Sequence, residues 1–545
     1  MKRKKITAVL LASLLGVSAA PVSAFAADSY TATEKAAYAA AVEKFAAEYA
    51  EDLAKYKEAI TGNADIKLSI DDAGKQLIGM LAQGLDVSWL NDVSLTTNVS
   101  VKDNVMAETM AVNVNGGQIC TVEYYFDLEN SMVYMRMPEL ADGYIKMNLQ
   151  ELSNSAESVV ASDTSLDVDM DMGDLLSGYT GFLENMPDAA VIQNLLNTYG
   201  DVFFNNVTDV ESAGTQAVTA GGVSQDLTLL QGRIGANELI AMLKEAVTTA
   251  KSDEDLKGIV ETVTGMMNDP AYTYDTFVAA LDELEGEFEG TEEQQDDGSG
   301  FILGAWVDAN GEVVGHQFDF TDGTSTYTIS SVSTADGDNR GYALQALLDG
   351  ESFALEGSGQ MSGDLLSGNY VLNVSGEDTV QIDVQNYDPA AAEEGMWKGV
   401  YTISAVPVVD SEGNSYDPLN GFQLQITADA QDKDSVSLGV GVLSSGVSLG
   451  AITLSSSNAG DAIEIPDLAS LDNVYDLNSD EDGTRFENEM TLDNIMNNMT
   501  AAGVPDGFLE TLINAASGSG ADTADGTVNE ETDMAGDTLD ETPAA

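Results

Sequence analysis

The residues best spaced for metal chemistry lie near the C-terminus, where Asn478, Asp480 and Asp482 alternate ahead of Gly483. Glu489 stands at the twelfth position counted from Asn478. Oxygen ligands at positions 1, 3 and 5, a glycine at 6 and a glutamate at 12 form the pattern of a calcium-binding loop. The first residue is Asn, where Asp is usual. The sequence therefore offers two hypotheses for this segment, a calcium loop and a plain acidic loop without metal.

The chain has one cysteine, Cys120, and one histidine, His316. By the two-residue period of a strand, Cys120 shares a face with Tyr124 and Phe126, and His316 shares one with Phe318. This pattern predicts a buried structural thiol and a histidine in the core or on a cavity wall. One His and one Cys are too few for a usual zinc site. No nucleophile elbow and no phosphate-binding loop accompanies them.

Paired carboxylates can hydrolyse glycosidic bonds, and the chain has 92 acidic residues. So many acids place some close together by chance. The pairs that stand out in the sequence are Asp71 with Asp72, Asp253 with Asp255, and Asp296 with Asp297. We expect no enzymatic activity, and a glycan hydrolase that uses paired carboxylates is the third and last alternative.

The formal net charge is -71, from 21 Lys and Arg against 92 Asp and Glu. Nucleic acids repel such a chain, because binding their backbone needs Lys and Arg that displace counterions. Anionic lipid surfaces repel it for the same electrostatic reason. The charge favours solubility and attracts cationic partners. We therefore expect no nucleic-acid partner, and a cationic cell-surface partner remains open.

Residues 1–26 have the three parts of a secretory signal peptide. A basic start is followed by an apolar run from Ile6 to Val17 and by the cleavage pattern Ala24-Phe25-Ala26. The apolar run is shorter than the roughly 20 residues that span a bilayer. We expect a secreted, extracellular chain of a bacterial cell envelope or exterior, which does not span the membrane.

Two kinds of element follow the signal peptide. Segment 27–61 predicts one amphipathic helix, over 31–61, because its apolar residues recur every three or four positions. That apolar stripe consists of Tyr38, Val42, Phe45, Tyr49, Leu53, Tyr56 and Ile60. Segment 62–150 alternates with period two between Gly-rich turns, which predicts a β meander. A short helix is predicted within it, near residues 72–83.

The rest of the chain divides by pattern into an insert, a β region and a C-terminal part. The predicted segments are a helical insert with two strands at 151–296, an antiparallel β region at 297–456, a mixed segment at 457–516 and a disordered acidic tail at 517–545. The insert's strands are predicted at 202–211 and 223–231. Asn310-Gly311 predicts a type I′ hairpin turn. We expect 297–456 to form one sheet domain with 62–150.

The predicted fold class is α+β, with a large curved antiparallel sheet packed on the N-terminal helix and the helical insert. This order of elements resembles the LolA/LppX-like lipoprotein-carrier superfamily of bacterial envelopes. The resemblance is carried by the helix ending at Ile60, by 123–127 followed by 132–136, and by 222–229 leading into the helix at Leu239. It implies an open half-barrel that wraps around inserted helices and leaves an apolar cavity.

We therefore expect a secreted, non-enzymatic protein that binds a lipid, or another apolar or amphiphilic small molecule, between sheet and helices. The expected cavity residues are Tyr124, Phe126, Met135, His316 and Phe318. Calcium is the one cofactor that the pattern suggests. The alternative is a structural or interaction protein of the cell surface that has no ligand cavity.

Overall fold

A computed structural model describes most of the chain between residues 29 and 508. The described stretches are 29–58, 60–81, 86–102, 105–148, 185–212, 214–267, 273–288, 298–322, 325–348, 351–409, 413–458, 462–476 and 479–508. The predicted signal peptide, the first part of the helical insert and the predicted acidic tail lie outside these residues.

The described residues combine long strands with helices, so the chain is α+β as predicted. The helices are α1 (Tyr30–Glu58), α2 (Asp72–Leu81), α3 (Ala189–Asn205), α4 (Ala236–Ser252), α5 (Glu254–Met267), α6 (Tyr274–Phe288), α7 (Pro389–Glu393), α8 (Asp480–Glu489) and α9 (Asp493–Ala501). In the part of the chain that is described, no helix is both long and apolar enough to cross a membrane.

The strands fall into an N-terminal group, three strands around residues 208–235, and a C-terminal group. The first two groups are β1 (Ile60–Ile70), β2 (Asp92–Lys102), β3 (Val105–Val114), β4 (Gly117–Asp127), β5 (Met132–Arg136), β6 (Tyr144–Asn148), β7 (Thr208–Val210), β8 (Thr215–Ala220) and β9 (Val223–Gly235). The N-terminal group matches the predicted meander closely, because each strand alternates and each turn is marked by Gly or Asn.

The C-terminal group forms most of the sheet. Its strands are β10 (Gly300–Val307), β11 (Val313–Thr321), β12 (Thr326–Asp336), β13 (Asn339–Leu348), β14 (Glu351–Ser362), β15 (Leu365–Val374), β16 (Glu377–Tyr387), β17 (Lys398–Ala405), β18 (Val408–Val409), β19 (Ser415–Tyr416), β20 (Phe422–Asp432), β21 (Ser435–Ser444), β22 (Val447–Ser457) and β23 (Val474–Asp476). The short strands β18 and β19 pair only with each other in the described residues.

Strand β1 joins the two β regions into one sheet. It pairs antiparallel with β2 on one side and with β22 on the other. From β22 the sheet runs through β21, β20, β17 and then down in sequence to β9. On the other side it runs from β2 to β6 and ends in the parallel strand β23.

The sheet curls at its β9 end. The hairpin of β8 and β9 extends past β10 and lies against β12, β13 and β14. Its backbone is tied there, because the Thr334 hydroxyl donates to the carbonyl of Val223 at 3.0 Å. The side chain of Gln225 accepts from the Ala335 N–H at 2.7 Å. A strand that pairs with β10 reaches these neighbours only if the sheet is curved.

One face of this sheet is apolar from end to end. Residues directly opposite each other in paired strands share a face. Apolar residues stand opposite each other from one pair of strands to the next, so they form one continuous apolar face. These pairs are Phe318–Ile329, Leu344–Leu355, Tyr370–Ile382, Ile403–Leu424, Val440–Ile452 and Ile66–Leu95. Helix α1 begins at the β9–β10 end, where Tyr30 joins a core cluster with Ile234, Phe301 and Leu303. Its later part reaches the turn between β20 and β21, where Lys55 pairs with Asp434 at 3.0 Å.

The first N–H groups of helix α1 have hydrogen-bond partners that fix where it begins. The Ser29 hydroxyl accepts from the Ala32 N–H at 3.3 Å, as a capping side chain does. Asp209 of β7 accepts from the Thr31 N–H at 2.8 Å. This second contact fixes the start of α1 against the strand that follows α3.

Several predicted elements differ from the structure. The strand predicted at 202–211 is wrong over its first part, because α3 continues to Asn205 and only Thr208–Val210 is extended. Strand β9 is present, but β8 and β13 were not predicted.

The Asn310-Gly311 hairpin exists, although only Gly311 has a positive φ, so the turn is not type I′. Asp308 accepts from the N–H groups of Asn310 and Glu312, which holds Asn310 in its ordinary backbone region.

Candidate functional site

A cavity of about 340 Å³ lies between α1 and α3. This volume is at the lower end of the roughly 300–1,000 Å³ that small-molecule sites occupy. Its wall is mostly aromatic and aliphatic, and it is lined by Tyr30, Glu34, Tyr38, Leu195, Leu196, Tyr199, Gly200, Phe203, Phe204 and Leu256. Among these described lining residues, Glu34 is the only one with an ionisable carboxyl group and none is Lys or Arg.

Helix α1 supplies one wall through residues four positions apart. Tyr30, Glu34 and Tyr38 stand at i, i+4 and i+8, which places them on one stripe of the helix. Glu34 is 3% exposed and Tyr30 is 2% exposed. An acid on the buried stripe of an amphipathic helix is unusual, because burying a charge is costly without a partner.

Helix α3 supplies the opposite wall and approaches α1 closely at a glycine. A Cβ atom at Gly200 would lie 2.3 Å from the ring of Tyr38, so no larger residue fits there without movement. The Tyr38 hydroxyl donates to the carbonyl of Leu196 at 2.8 Å. Its ring meets Phe204 edge to face, with centroids 5.7 Å apart. These contacts hold the two helices at a fixed distance around the cavity.

The carboxyl group of Glu34 faces the only histidine of the chain. Its Oε1 atom lies 3.2 Å from Nε2 of His316, which β11 carries and which is 27% exposed. Both atoms are shielded from solvent, and neither makes a hydrogen bond of acceptable geometry in the structure. Glu34 therefore combines burial with unused hydrogen-bonding capacity at the edge of an apolar cavity.

Burial also alters the acidity of the tyrosines around the cavity. Burial, and then the charge of Glu34, raise the pKa of Tyr30 well above its usual value. Burial alone raises the pKa of Tyr38. Burial, followed by the nearby Asp253 carboxylate, raises the pKa of Tyr199 to about 12. All three phenols therefore stay neutral at physiological pH, as suits an apolar wall.

The predicted cavity residues on β11 lie beside this cavity without lining it. His316 contacts Glu34, which does line it. Phe318 packs on Phe301, with ring centroids 5.4 Å apart, in the core cluster that includes Tyr30. Both residues therefore lie at the β11 end of the sheet, next to the cavity and outside its lining. The residues that line the cavity were not predicted to do so. Glu34 is among them, although the spacing of Tyr30, Glu34 and Tyr38 on one helical stripe carried that signal.

The other predicted cavity residues lie far along the same sheet. Tyr124 and Phe126 of β4 stack with centroids 6.0 Å apart, and Met135 of β5 is opposite Tyr124. Strands β3 to β1, β22 to β20 and β17 to β12 stand between β4 and β11 in the sheet. The structure thus does not bring Tyr124, Phe126 and Met135 together with His316 and Phe318 in one lining.

The buried side of β4 is opposite to the predicted one. Cys120 is only half-buried, whereas Ile119 and Tyr125, on the other face, are 2% and 5% exposed. Tyr125 belongs to a cluster with Ala107 and Tyr134 that the C-terminal segment covers through Ile463, Ile465, Leu468 and Leu471. Burial, and then the charge of Glu139, raise the pKa of the Cys120 thiol, so it is a poor nucleophile.

The predicted calcium loop is replaced by a helix over its described part. Asp480–Glu489 form α8, with the Ser479 hydroxyl as the N-cap that accepts from the Asp482 N–H. Asp482 pairs with Arg485 at 3.1 Å, and Glu489 accepts from the Tyr475 hydroxyl at 2.6 Å. Helix geometry prevents the inward convergence of ligands that a calcium loop needs.

Asn478 lies outside the described residues, so its part in that pattern is not described. Across the described stretches, no group of three or more His, Cys, Asp or Glu side chains is placed to hold a metal ion.

The adjacent acids of the sequence have local roles where they are described. Asp253 accepts from the N–H groups of Asp255 and Leu256, both at 3.0 Å, and so begins α5. Asp72 opens α2 with its side chain 96% exposed. Asp296 and Asp297 lie outside the described residues. Asp253 and Asp72 therefore stand at helix starts, and Asp71 and Asp72 also line an open surface depression of about 450 Å³.

Away from the cavity, the apolar face of the sheet is partly open to solvent. On β20, β21, β22 and β1 its side chains are between 38% and 53% exposed, as Leu424, Leu438, Val440, Ile452 and Leu68 show. We call these residues the open apolar strip. Contiguous exposed apolar surface of this kind is uncommon on soluble monomers and accompanies binding sites.

The sequence matches no protein-family model, and no curated protein is significantly similar to it.

Proposed function

We propose that this chain is a secreted, non-enzymatic binding protein that holds an apolar or amphiphilic small molecule in the cavity between α1 and α3, beside the curved sheet. The observation that carries this proposal is the cavity of about 340 Å³, with its aromatic and aliphatic wall. Apolar pockets with few polar groups are the usual form of small-molecule sites. The carrier resemblance implies a cavity between sheet and helices, whereas this cavity is lined by helical residues and lies beside the sheet. The family assignment stays a prediction.

The packing of the cavity supports this proposal further. Gly200 and the Tyr38 hydroxyl fix the separation of α1 and α3, so the space is held open by specific contacts. A cavity that is held open before a ligand arrives reduces the ordering cost of binding. The phenols of Tyr30, Tyr38 and Tyr199 stay neutral at physiological pH, so they add no charge to the wall.

The test is native mass spectrometry of the protein recovered from its own cells, before and after extraction with organic solvent. The proposal predicts an added mass that extraction removes and that returns when the extract is added back. A variant that enlarges a lining side chain, Leu256→Phe, is expected to fill part of the cavity and to reduce or abolish that mass. A clean mass for the unextracted wild-type protein would contradict the proposal.

A second candidate is an interaction protein of the cell surface, which binds a cationic partner. The observation that favours it is the net charge of -71. Surface charge pairs are screened by salt over about 8–10 Å at physiological ionic strength. This candidate therefore predicts association with polylysine that 0.5 M NaCl abolishes, and no extractable small molecule.

A further inference from the structure

The geometry points to a cationic head group on the ligand: we infer that the cavity between α1 and α3 selects an amphiphile with a primary ammonium, which the carboxylate of Glu34 receives. This inference rests on the proposed function, because it names the ligand class of the same cavity. It follows from three observations, which concern the carboxyl group, its surroundings and the charge of the whole chain.

Glu34 is the lining residue that an apolar ligand alone does not explain. It is 3% exposed, and its Oε1 atom has no hydrogen-bond partner of acceptable geometry. A buried acceptor without a donor costs roughly 1–3 kcal/mol, and more when it is charged. A ligand that supplies a hydrogen-bond donor here removes this free-energy cost. Glu34 therefore favours ligands that carry such a donor over ligands that do not.

One basic side chain lies against that oxygen. Nε2 of His316 lies 3.2 Å away without forming a hydrogen bond. Among the described lining residues there is no Lys or Arg that would neutralise the carboxylate. The nearest positive side chain described on this part of α1 is Lys35, which instead pairs with Asp201 at 2.7 Å, with both side chains about half exposed.

The remaining wall suits the apolar part of such a ligand. Leu195, Leu196, Phe203 and Phe204 line the same cavity from α3. A single alkyl chain or an aralkyl group fits a volume of about 340 Å³, whereas a two-chain lipid exceeds it. The ligand class is therefore a single-chain alkyl or aralkyl ammonium.

The charge of the whole chain acts in the same direction. A net charge of -71 raises the local concentration of cations and lowers that of carboxylates. The carboxylate of a fatty acid would be repelled both by the net charge of the chain and by Glu34. The ammonium group of an amphiphile would be attracted by both.

The experiment is calorimetric titration of the full chain with octylammonium, octanol and octanoate at 0.5 M NaCl, which screens the distant charges. We expect one site, with octylammonium binding roughly tenfold or more tighter than octanol, since a hydrogen bond to a charged group contributes more than a neutral one. Octanoate is expected to bind weakest.

Two variants locate the selectivity. In Glu34→Gln, octylammonium and octanol are expected to bind within about threefold of each other, because the charge is gone while the side-chain shape is kept. In Glu43→Gln, an exposed acid of the same helix, the wild-type order is expected to persist. Retention of the ammonium preference in Glu34→Gln would overturn the role of Glu34.

The wild-type ranking decides the inference even if Glu34→Gln does not fold. Equal affinities for the three probes would overturn the inference and leave the proposed function intact. Binding of none of the three would contradict the proposed function itself. Loss of the preference in Glu43→Gln as well would assign it to the general charge and overturn the site.

Discussion

Glu34 and His316 meet at 3.2 Å although the first helix and a strand from the middle of the chain carry them. The carboxyl group is nearly fully buried, and the imidazole closes the site from the sheet side. The two atoms make no hydrogen bond of acceptable geometry, yet the imidazole is a polar neighbour of the carboxyl group in a mostly apolar region. This proximity leads to the first prediction.

Removing one member of this pair is expected to cost more stability than replacing both. His316→Ala leaves the buried carboxyl group without a neighbour and is expected to cost about 1–3 kcal/mol. The double variant Glu34→Leu with His316→Leu removes both polar groups, so it should recover most of that loss. Thermal unfolding of both variants, followed by circular dichroism, measures the difference. An additive loss in the double variant would contradict the coupling.

Two leucines on the apolar face are expected to respond differently to truncation. Leu303 is fully buried in the core cluster with Phe301 and Tyr30, so Leu303→Ala should cost about 2–5 kcal/mol. Leu438 is 38% exposed on the open apolar strip, so Leu438→Ala should cost about 1 kcal/mol or less. Urea unfolding of the two variants tests this. A large loss at Leu438 would mean that the strip is covered in solution.

Replacing either of two helical glycines by alanine is expected to change the stability of the protein in opposite directions. A Cβ atom at Gly74 in α2 would lie 1.9 Å from the carbonyl oxygen of Leu449, so Gly74→Ala should cost about 1–3 kcal/mol. At Gly258 in α5 no atom lies within 4 Å of that position. Gly258→Ala should therefore stabilise the protein by about 0.5–1 kcal/mol. Melting temperatures that move in the same direction would contradict the packing of α2 on β22.

Alkaline pH is expected to destabilise the protein through its buried tyrosines. Burial raises the pKa of Tyr199 to about 12, above its unfolded value of about 10. The folded state therefore binds more protons between these values, and its stability is complete below pH 10 and is lost towards pH 12. Tyr199→Phe should reduce the fall in melting temperature over that range. The exposed Tyr416 is the control, because Tyr416→Phe should leave the fall unchanged.

Substitutions at the start of α8 distinguish a helix-capping role of this segment from a calcium-binding one. Ser479→Ala removes the N-cap and should cost about 1 kcal/mol. Asp480→Ala, one position later, should cost only a few tenths, as expected for a charge near a helix start. Addition of millimolar calcium should leave the melting temperature unchanged. A rise in that temperature, lost in Asp480→Ala, would restore the calcium hypothesis.

Period and turn chemistry predicted most of the sheet, and their failures have physical causes. Strand β13 was missed because Ala343-Leu344-Gln345-Ala346-Leu347 consists of good helix formers. Pairing with β12 and β14 on both sides overrides that preference. The apolar run at Phe203 and Phe204 resembles a strand, but it continues α3 because both rings pack in helical register against α1 and the sheet.

The candidate site was less predictable than the sheet. His316 was expected at a cavity wall because it shares a face with aromatic residues, and it lies next to the wall. Glu34 could not be distinguished from the many other acids as a site residue, because the sequence does not tell that its side of α1 is buried. The orientation of β4 was wrong because the face of Cys120, Tyr124 and Phe126 is the more apolar one in sequence, whereas the C-terminal segment covers Tyr125 on the other face.

The position of β1 has a consequence for how the chain is made. Ser69 near the end of β1 is opposite Ala451 of β22. The second edge of β1 can therefore pair only after β22, one of the last strands, has been synthesised. Pairings between distant segments form slowly, and an open strand edge is a template for association with other chains. A nascent chain of this protein must therefore carry an exposed edge for most of its synthesis. Its repulsive charge is well suited to keep neighbouring copies apart until the edge closes.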